Sequence, residues 1–175
     1  ISNMFASKSR LYLAQTNPAV NNMRRKVTAS ANSTFMTISK FTSNKYKGKT
    51  SFDILVIDEC STVNNQDMRS VLERANFELL VLVGDTYQIE SIEFGNWFDA
   101  VRFFLPRTAV CELTTPYRSD SAALLNVWND VRKMNGDIYY LLQTYGYSTD
   151  LDKSIFAPAG KGEIILCLNY GGLYG

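Results

Sequence analysis

Short continuous apolar runs alternate along the chain with segments in which apolar residues recur every three to four positions. Leu11-Tyr12-Leu13-Ala14 predicts a strand. Asn17-Pro18 then reads as a helix start, with Asn as the cap and Pro at the first helical position. That helix is expected to reach about Val27. Its last turn is basic (Arg24, Arg25, Lys26), which suits the negative end of the helix dipole. Thr34 to Phe41 predicts a short strand-like or irregular segment, and the polar, lysine-rich stretch Ser43 to Thr50 a loop. Phe52 to Ile57 is rich in β-branched residues and predicts a strand buried on both faces. Met68, Val71, Leu72 and Ala75 share one helix face, and Leu79 to Val83 predicts a third buried strand.

The pattern continues less regularly. Trp97, Phe98, Ala100, Val101 and Phe104 mark a short helix stopped by Pro106, and Ala109 to Leu113 a fourth strand. Ser119 is placed to cap a helix that turns Leu124, Leu125, Trp128 and Val131 inward and ends at Gly136. Residues 143 to 162 read as a loop, and Glu163 to Leu168 as a fifth strand. Continuous apolar strands alternating with helices predict an α/β fold with a largely parallel sheet flanked by helices. Ligands of such sheets sit at the carboxyl ends of the strands, so function is to be sought just after each strand.

Composition narrows the chemistry. The 175 residues are 46% hydrophobic and 20% charged, with 18 basic and 17 acidic side chains, which excludes a disordered chain. This length fits one domain, or one and part of a second. There is no histidine, so Ser-His-Asp and Cys-His nucleophilic catalysis and HExxH zinc sites are excluded. Cys60, Cys111 and Cys167 are widely spaced with no CxxC, which fits buried, reduced thiols in a cytoplasmic protein better than zinc or disulfides. No apolar run of about 18 residues exists, so no membrane span is expected. The chain starts at Ile1 rather than Met, and an interior piece of a longer protein is expected.

Four constellations stand at predicted strand ends. Ile54-Leu55-Val56-Ile57 delivers Asp58 and Glu59, adjacent carboxylates of which one can hold Mg²⁺ and the other orient or deprotonate an attacking water. An acidic turn capping the next helix is the structural alternative. Leu82-Val83-Gly84-Asp85 presents Gln88 three residues on, an amide suited to a γ-phosphate or its attacking water. Leu113-Thr114-Thr115-Pro116-Tyr117-Arg118 offers an arginine that can reach phosphate across a cleft. Leu13-Ala14-Gln15-Thr16-Asn17-Pro18 offers hydroxyl, amide and free helix-start donors for phosphate.

Taken in order, the four resemble superfamily 1 DNA helicases, above all the RecD-like (exodeoxyribonuclease V alpha-chain) and related ATP-binding helicase-domain proteins. The stretch from Leu13 to Val27 resembles motif Ia, and Thr37-Ile38-Ser39 the next nucleic-acid-contacting motif. Asp58-Glu59-Cys60-Ser61 resembles motif II. Gly84 to Gln88, with Ser91 and Gly95 beyond, resembles motif III, and Leu113 to Arg118 motif IV. The resemblance implies a RecA-like P-loop NTPase fold and ATP-driven translocation on nucleic acid, single-stranded DNA foremost. It also implies helicase or nuclease subunits as further partners.

Carried over residue by residue, Asp58 would coordinate Mg²⁺ and Glu59 would activate water. Gln88 and Arg118 would sense and contact the γ-phosphate of ATP, with Asp85 and Tyr117 beside the nucleotide. Thr16, Asn17, Thr37 and Ser39 would touch the nucleic acid. By the same resemblance residues 1–115 belong to the first motor domain, and 116–175 form a linker and the start of the second.

The chain also departs from that pattern. A phosphate-binding loop needs Gly, four residues, then Gly-Lys-Ser/Thr between a strand and a helix. Gly48-Lys49-Thr50 has Ser43 in place of the first glycine and precedes a strand, so it is a decoy; the true element is expected upstream of Ile1. Two other readings compete with the motor: a RecA-like scaffold or nucleic-acid-binding module without ATPase activity, and a receiver-like signalling domain, which Gln88 and Tyr117-Arg118 do not fit. Net charge adds little, but nine of the eighteen basic residues lie before Thr50, with no acid before Asp53. That is a local field suited to phosphate.

Overall fold

A computed structural model describes residues 4–27, 31–87, 95, 97–115, 119–133 and 136–146. The chain divides into two compact units, Ile1–Leu113 and Thr114–Gly175. The first holds strands β1 (Arg10–Ala14), β2 (Ser33–Thr37), β3 (Ile54–Ile57) and β4 (Leu79–Leu82) and helices α1 (Asn17–Lys26), α2 (Ile38–Thr42), α3 (Asn65–Arg74) and α4 (Trp97–Val101). The second holds α5 (Ala122–Lys133) and α6 (Ile138–Thr144), which pack together.

The sheet order is β2-β1-β3-β4 and every pairing is parallel. The predicted α/β class and parallel sheet are therefore present. The order reverses between β1 and β3: one βαβ unit steps outward through α1 to β2, the other the opposite way through α3 to β4. Right-handed crossovers running in opposite directions put their helices on opposite faces of the sheet. Accordingly Tyr12, Ile54 and Val56 form one core with Met23 of α1, while Leu11, Leu13, Leu55 and Ile57 form the other with Met68 and Val71 of α3. The strict alternation of those side chains explains why the central strands read as continuous apolar runs.

Several expectations change. Thr16, not Asn17, caps α1: its hydroxyl accepts from the Ala19 amide at 3.3 Å, which moves Pro18 to the second helical position. The segment 34–41 is not one element, because the Thr37 hydroxyl caps a new helix, accepting from the Lys40 amide at 3.2 Å, and β2 ends there. The strand at 79–82 is only partly covered, since it ends the sheet among the described residues; Leu79 and Val83 are exposed. Leu72 is also exposed, lining an open groove of about 460 Å³ with Met68 and Trp97.

Further along, α4 stops at Val101, leaving Phe104 exposed. The predicted strand 109–113 is a 3₁₀ turn, Arg107–Ala109, closed by the Ala109 amide on the Pro106 carbonyl (2.8 Å), then exposed chain without regular structure. Glu112 interrupts the apolar run, and no strand pairs with it among the described residues. Before α5 it is Ser121 whose hydroxyl accepts from the Leu124 amide, at 3.4 Å, while Ser119 accepts from Ser121. Within α5 Val127 is the buried residue, and Trp128 and Val131 are exposed. The expected strand 163–168 lies outside the described residues.

The amino end of the sheet is fixed by Asp53. Its carboxylate accepts from the Ser9 amide (2.6 Å) and hydroxyl (2.8 Å), and Lys8 stands 3.8 Å away. The Ser9 hydroxyl first, then the Ser9 amide, hold its carboxyl below the ordinary 3.8, against a smaller opposing effect of burial. A carboxyl whose folded pKa is depressed stabilises the fold above its unfolded pKa, and that stability is lost as pH falls through the folded value. Asp53→Asn is therefore expected to lower the denaturation midpoint at pH 7 and to approach the parent chain as pH falls below about 3.8. A gap between the two midpoints that does not narrow over that acid range would contradict this.

Candidate functional site

Because all four strands run the same way, their carboxyl ends share one edge of the sheet. That edge gathers Thr16 and Asn17 after β1, Thr37 at the end of β2, Asp58 and Glu59 after β3, and Gly84 and Asp85 after β4. Three backbone hydrogen bonds lock it. The Asp58 amide donates to the Leu13 carbonyl, the Val83 amide to Ile57, and the Cys60 amide to Val83, each at 2.9 Å.

Asp58 is half-buried, and its Oδ1 accepts from the Glu59 amide at 3.0 Å. Glu59 is exposed and sits in the left-handed region (φ 55°, ψ 40°), the one described non-glycine residue with positive φ. That conformation costs a side-chain-bearing residue about 1–2 kcal/mol, and it turns the chain abruptly from β3 into the 3₁₀ turn Cys60–Thr62. The result separates two neighbouring carboxylates into a half-buried and an exposed environment. Hard oxygen donors of this kind fit Mg²⁺, which keeps most of its waters and takes one or two protein carboxylates. No group of three His, Cys, Asp or Glu side chains suited to a metal occurs among the described residues, so a cation here would rest on Asp58, water and ligand oxygens.

Cys60 is fully buried, and its thiol donates to the Ile57 carbonyl at 3.1 Å. Burial first, then the nearby Asp58 charge, outweigh the Val83 backbone contact and push the thiol up to about 12. It is structural, not nucleophilic. Of the other thiols expected to be buried, Cys111 is exposed, on chain without regular structure, and Cys167 lies outside the described residues.

The segment after β4 lies tightly on the β3 turn. A Cβ at Gly84 would come within 2.7 Å of the Phe98 ring and 3.1 Å of the Ser61 amide nitrogen. Gly95, at φ 140°, packs against Asn65 so closely that no side chain fits. The Trp97 indole donates to the Val63 carbonyl at 2.7 Å. Asp85 accepts from the Tyr87 amide at 3.0 Å, a local turn.

Of the predicted site residues, then, Asp58, Glu59, Asp85, Thr16, Asn17 and Thr37 lie on one edge. Ser39 is exposed in the first turn of α2. The Thr16 and Thr37 hydroxyls accept from the Ala19 and Lys40 amides as helix caps, which leaves each its O–H hydrogen to donate. Gln88, Ser91, Tyr117 and Arg118 lie outside the described residues.

Gly48-Lys49-Thr50 forms no phosphate cradle. Lys49 stacks over the Phe52 ring (5.1 Å) and the Asn76 amide donates to the Thr50 carbonyl. The loop is held by Arg74, whose guanidinium donates to the carbonyls of Thr42, Ser43 and Tyr46 at 2.7–3.2 Å. Sequence reasoning misses Arg74, the Trp97 anchor, and a polar group of Gln15, Asn64 and Asp67 between β1 and α3. All act through contacts distant in sequence that no local pattern announces.

A family model described as "AAA domain" matches residues 6–147. None of the curated proteins matches significantly. Among solved structures, the chain is similar to a Pif1 helicase from Bacteroides in complex with ADP-AlF3 and ssDNA (17% identity, TM-score 0.45, covering 77% of this chain and 38% of that one). It is also similar to Bacteroides Pif1 bound to ssDNA (16% identity, TM-score 0.47, covering 82% and 40%). The chain thus spans about two fifths of the length of those structures.

Two predictions rest on the β3 turn. Glu59→Gly is expected to exceed Glu59→Val in unfolding free energy by about 1–2 kcal/mol, because only glycine adopts positive φ without strain; equal denaturation midpoints would refute the strained turn. At pH 8 a disulfide reagent is expected to modify Cys111, which is exposed, within minutes and to leave Cys60 untouched until denaturant is added. Mapping by peptide mass checks this, and early modification of Cys60 would refute its burial.

Proposed function

The chain belongs to the AAA domain family, and from that membership we propose that it is part of an ATP-dependent, RecD-like superfamily 1 helicase motor that couples Mg-ATP hydrolysis to movement on single-stranded DNA. Its fold is the α/β P-loop NTPase fold, a parallel sheet flanked by helices. The observation that carries the proposal is the pair Asp58-Glu59, delivered by a fully buried strand and held apart by a left-handed turn.

In this reading Asp58 would hold the cation, and Glu59 would accept the proton of the attacking water. Magnesium, when bound, neutralises charge on the transferred phosphoryl group. Gln88 and Arg118 would face the γ-phosphate, with Asp85 and Tyr117 beside the nucleotide. Thr16, Asn17, Thr37 and Ser39, with Lys40 beside them, would meet the phosphates of the strand through hydroxyl and helix-start donors. Residues 1–115 would be part of motor domain 1 and 116–175 a linker and the start of domain 2, in a cytoplasmic protein working alongside other helicase or nuclease subunits.

The intact protein is expected to hydrolyse ATP when single-stranded DNA is present. Glu59→Gln should reduce the rate at least ~100-fold while nucleotide affinity stays within about threefold. Turnover retained in Glu59→Gln would reject the role given to Glu59. DNA binding with no hydrolysis in the unsubstituted protein would favour the scaffold reading instead. The 175-residue chain alone, with no GxxxxGK[S/T] in its sequence, is expected to release phosphate no faster than background.

A further inference from the structure

The reversal of strand order between β1 and β3 opens a crevice at the carboxyl edge, and a polar group fills it. The Gln15 side chain, the first after β1, donates through Nε2 to Asp67 Oδ2 at 2.9 Å. Asp67 Oδ2 also accepts from Asn64 Nδ2 at 3.3 Å, and the Asn64 Oδ1 in turn caps α3 by accepting from the Asp67 amide at 2.7 Å. Asn64 is buried, and Gln15 and Asp67 are half-buried, so these bonds are shielded from competing water.

At one end of this group is the start of α1, where Thr16 caps the helix immediately after Gln15. At the other is the short turn from Glu59 to Asn64, itself closed by the Thr62 amide on the Glu59 carbonyl (3.0 Å) and the Val63 amide on Cys60 (3.1 Å). The turn has little freedom of its own. Its far end is Asn64, and Asn64 is held through Asp67 by Gln15.

We propose that Gln15 is a positioning residue: by donating to Asp67 it ties the start of α1 to the turn that carries Glu59, so that an oligonucleotide seated on the first restrains the second. The inference rests on the nucleic-acid reading of the α1 start given above. It needs no movement of the sheet, because the two ends are joined by side chains across the crevice. Nothing in the local sequence forces the pair; a glutamine after a strand and an aspartate in a first helical turn meet only through the register of β1 on β3.

The test is hydrogen exchange at the amides of Cys60, Thr62, Val63 and Asp67 in the intact protein, with and without an oligo-dT strand. In the parent protein the oligonucleotide is expected to slow exchange at these amides about tenfold. In Gln15→Met, which keeps the side-chain length but has no donor, the slowing should fall below about twofold while oligonucleotide affinity stays within about threefold. Asp67→Asn, which keeps an acceptor oxygen, should retain the slowing. A role confined to stability would change basal exchange in the variants and leave the oligonucleotide response intact.

Equal slowing in Gln15→Met and the parent would overturn the proposal. So would binding that leaves exchange at the turn unchanged in the parent, a result readable even if Gln15→Met does not fold. Absence of oligo-dT binding by the parent would instead overturn the nucleic-acid reading, and the coupling with it.

Discussion

The carboxyl edge depends on the pairing of β3 with its two neighbours. Ile54 to Ile57 is buried on both faces, so its backbone groups must be satisfied by β1 and β4 in parallel register, and a one-residue slip would turn its side chains to the wrong cores. Once that register is set, the Asp58 amide must meet the Leu13 carbonyl and the Cys60 amide the Val83 carbonyl. The main chain that carries the two carboxylates is then placed by backbone hydrogen bonds on both sides.

Around that strand the same few residues serve the fold and the edge together. Thr16 and Thr37 cap helices and, by doing so, place both helix starts at the carboxyl edge. Glycine at 84 and 95 lets the chain after β4 press on the β3 turn, where a side chain would collide with Ser61, Phe98 or Asn65. Arg74 closes α3 and staples the basic loop beside it, its guanidinium also lying over the Phe41 and Tyr46 rings. Lysine, with one point charge and no planar fork, could not reach three carbonyls and two rings at once.

Much of this is legible in the sequence, for a physical reason. Strands buried on both faces are apolar along most of their length, so β1 (Leu11 onward) and β3 stand out within a residue or two, and the acids that end β3 cannot belong to its core. The strand β4 stands out equally, but its apolar sequence says nothing of its place at the sheet's end. Segments whose state depends on partners read wrongly. Ala109 to Leu113 is apolar enough for a strand yet has none to pair with among the described residues, and Trp128 and Val131 share a helical face that is left exposed. The cap of α1 shifts by one residue because Thr and Asn are both good caps, and only geometry chooses between them. The Gln15, Asn64 and Asp67 group is invisible, since Gln15 stands 52 residues along the chain from Asp67, to which it bonds.

The reversed strand order also bears on how the chain reaches this state. Each βαβ half joins strands about two dozen residues apart, Arg10 to Ser33 and Ile54 to Leu79, whereas the seam between them brings Arg10 to Ile54. The entropy of closing a loop rises with its length, so the two halves are favoured to form before the seam. The Asp58 amide is bonded across that seam. A chain with both halves folded and the seam still open would have nearly all of its helices and strands, and no fixed place for its paired acids.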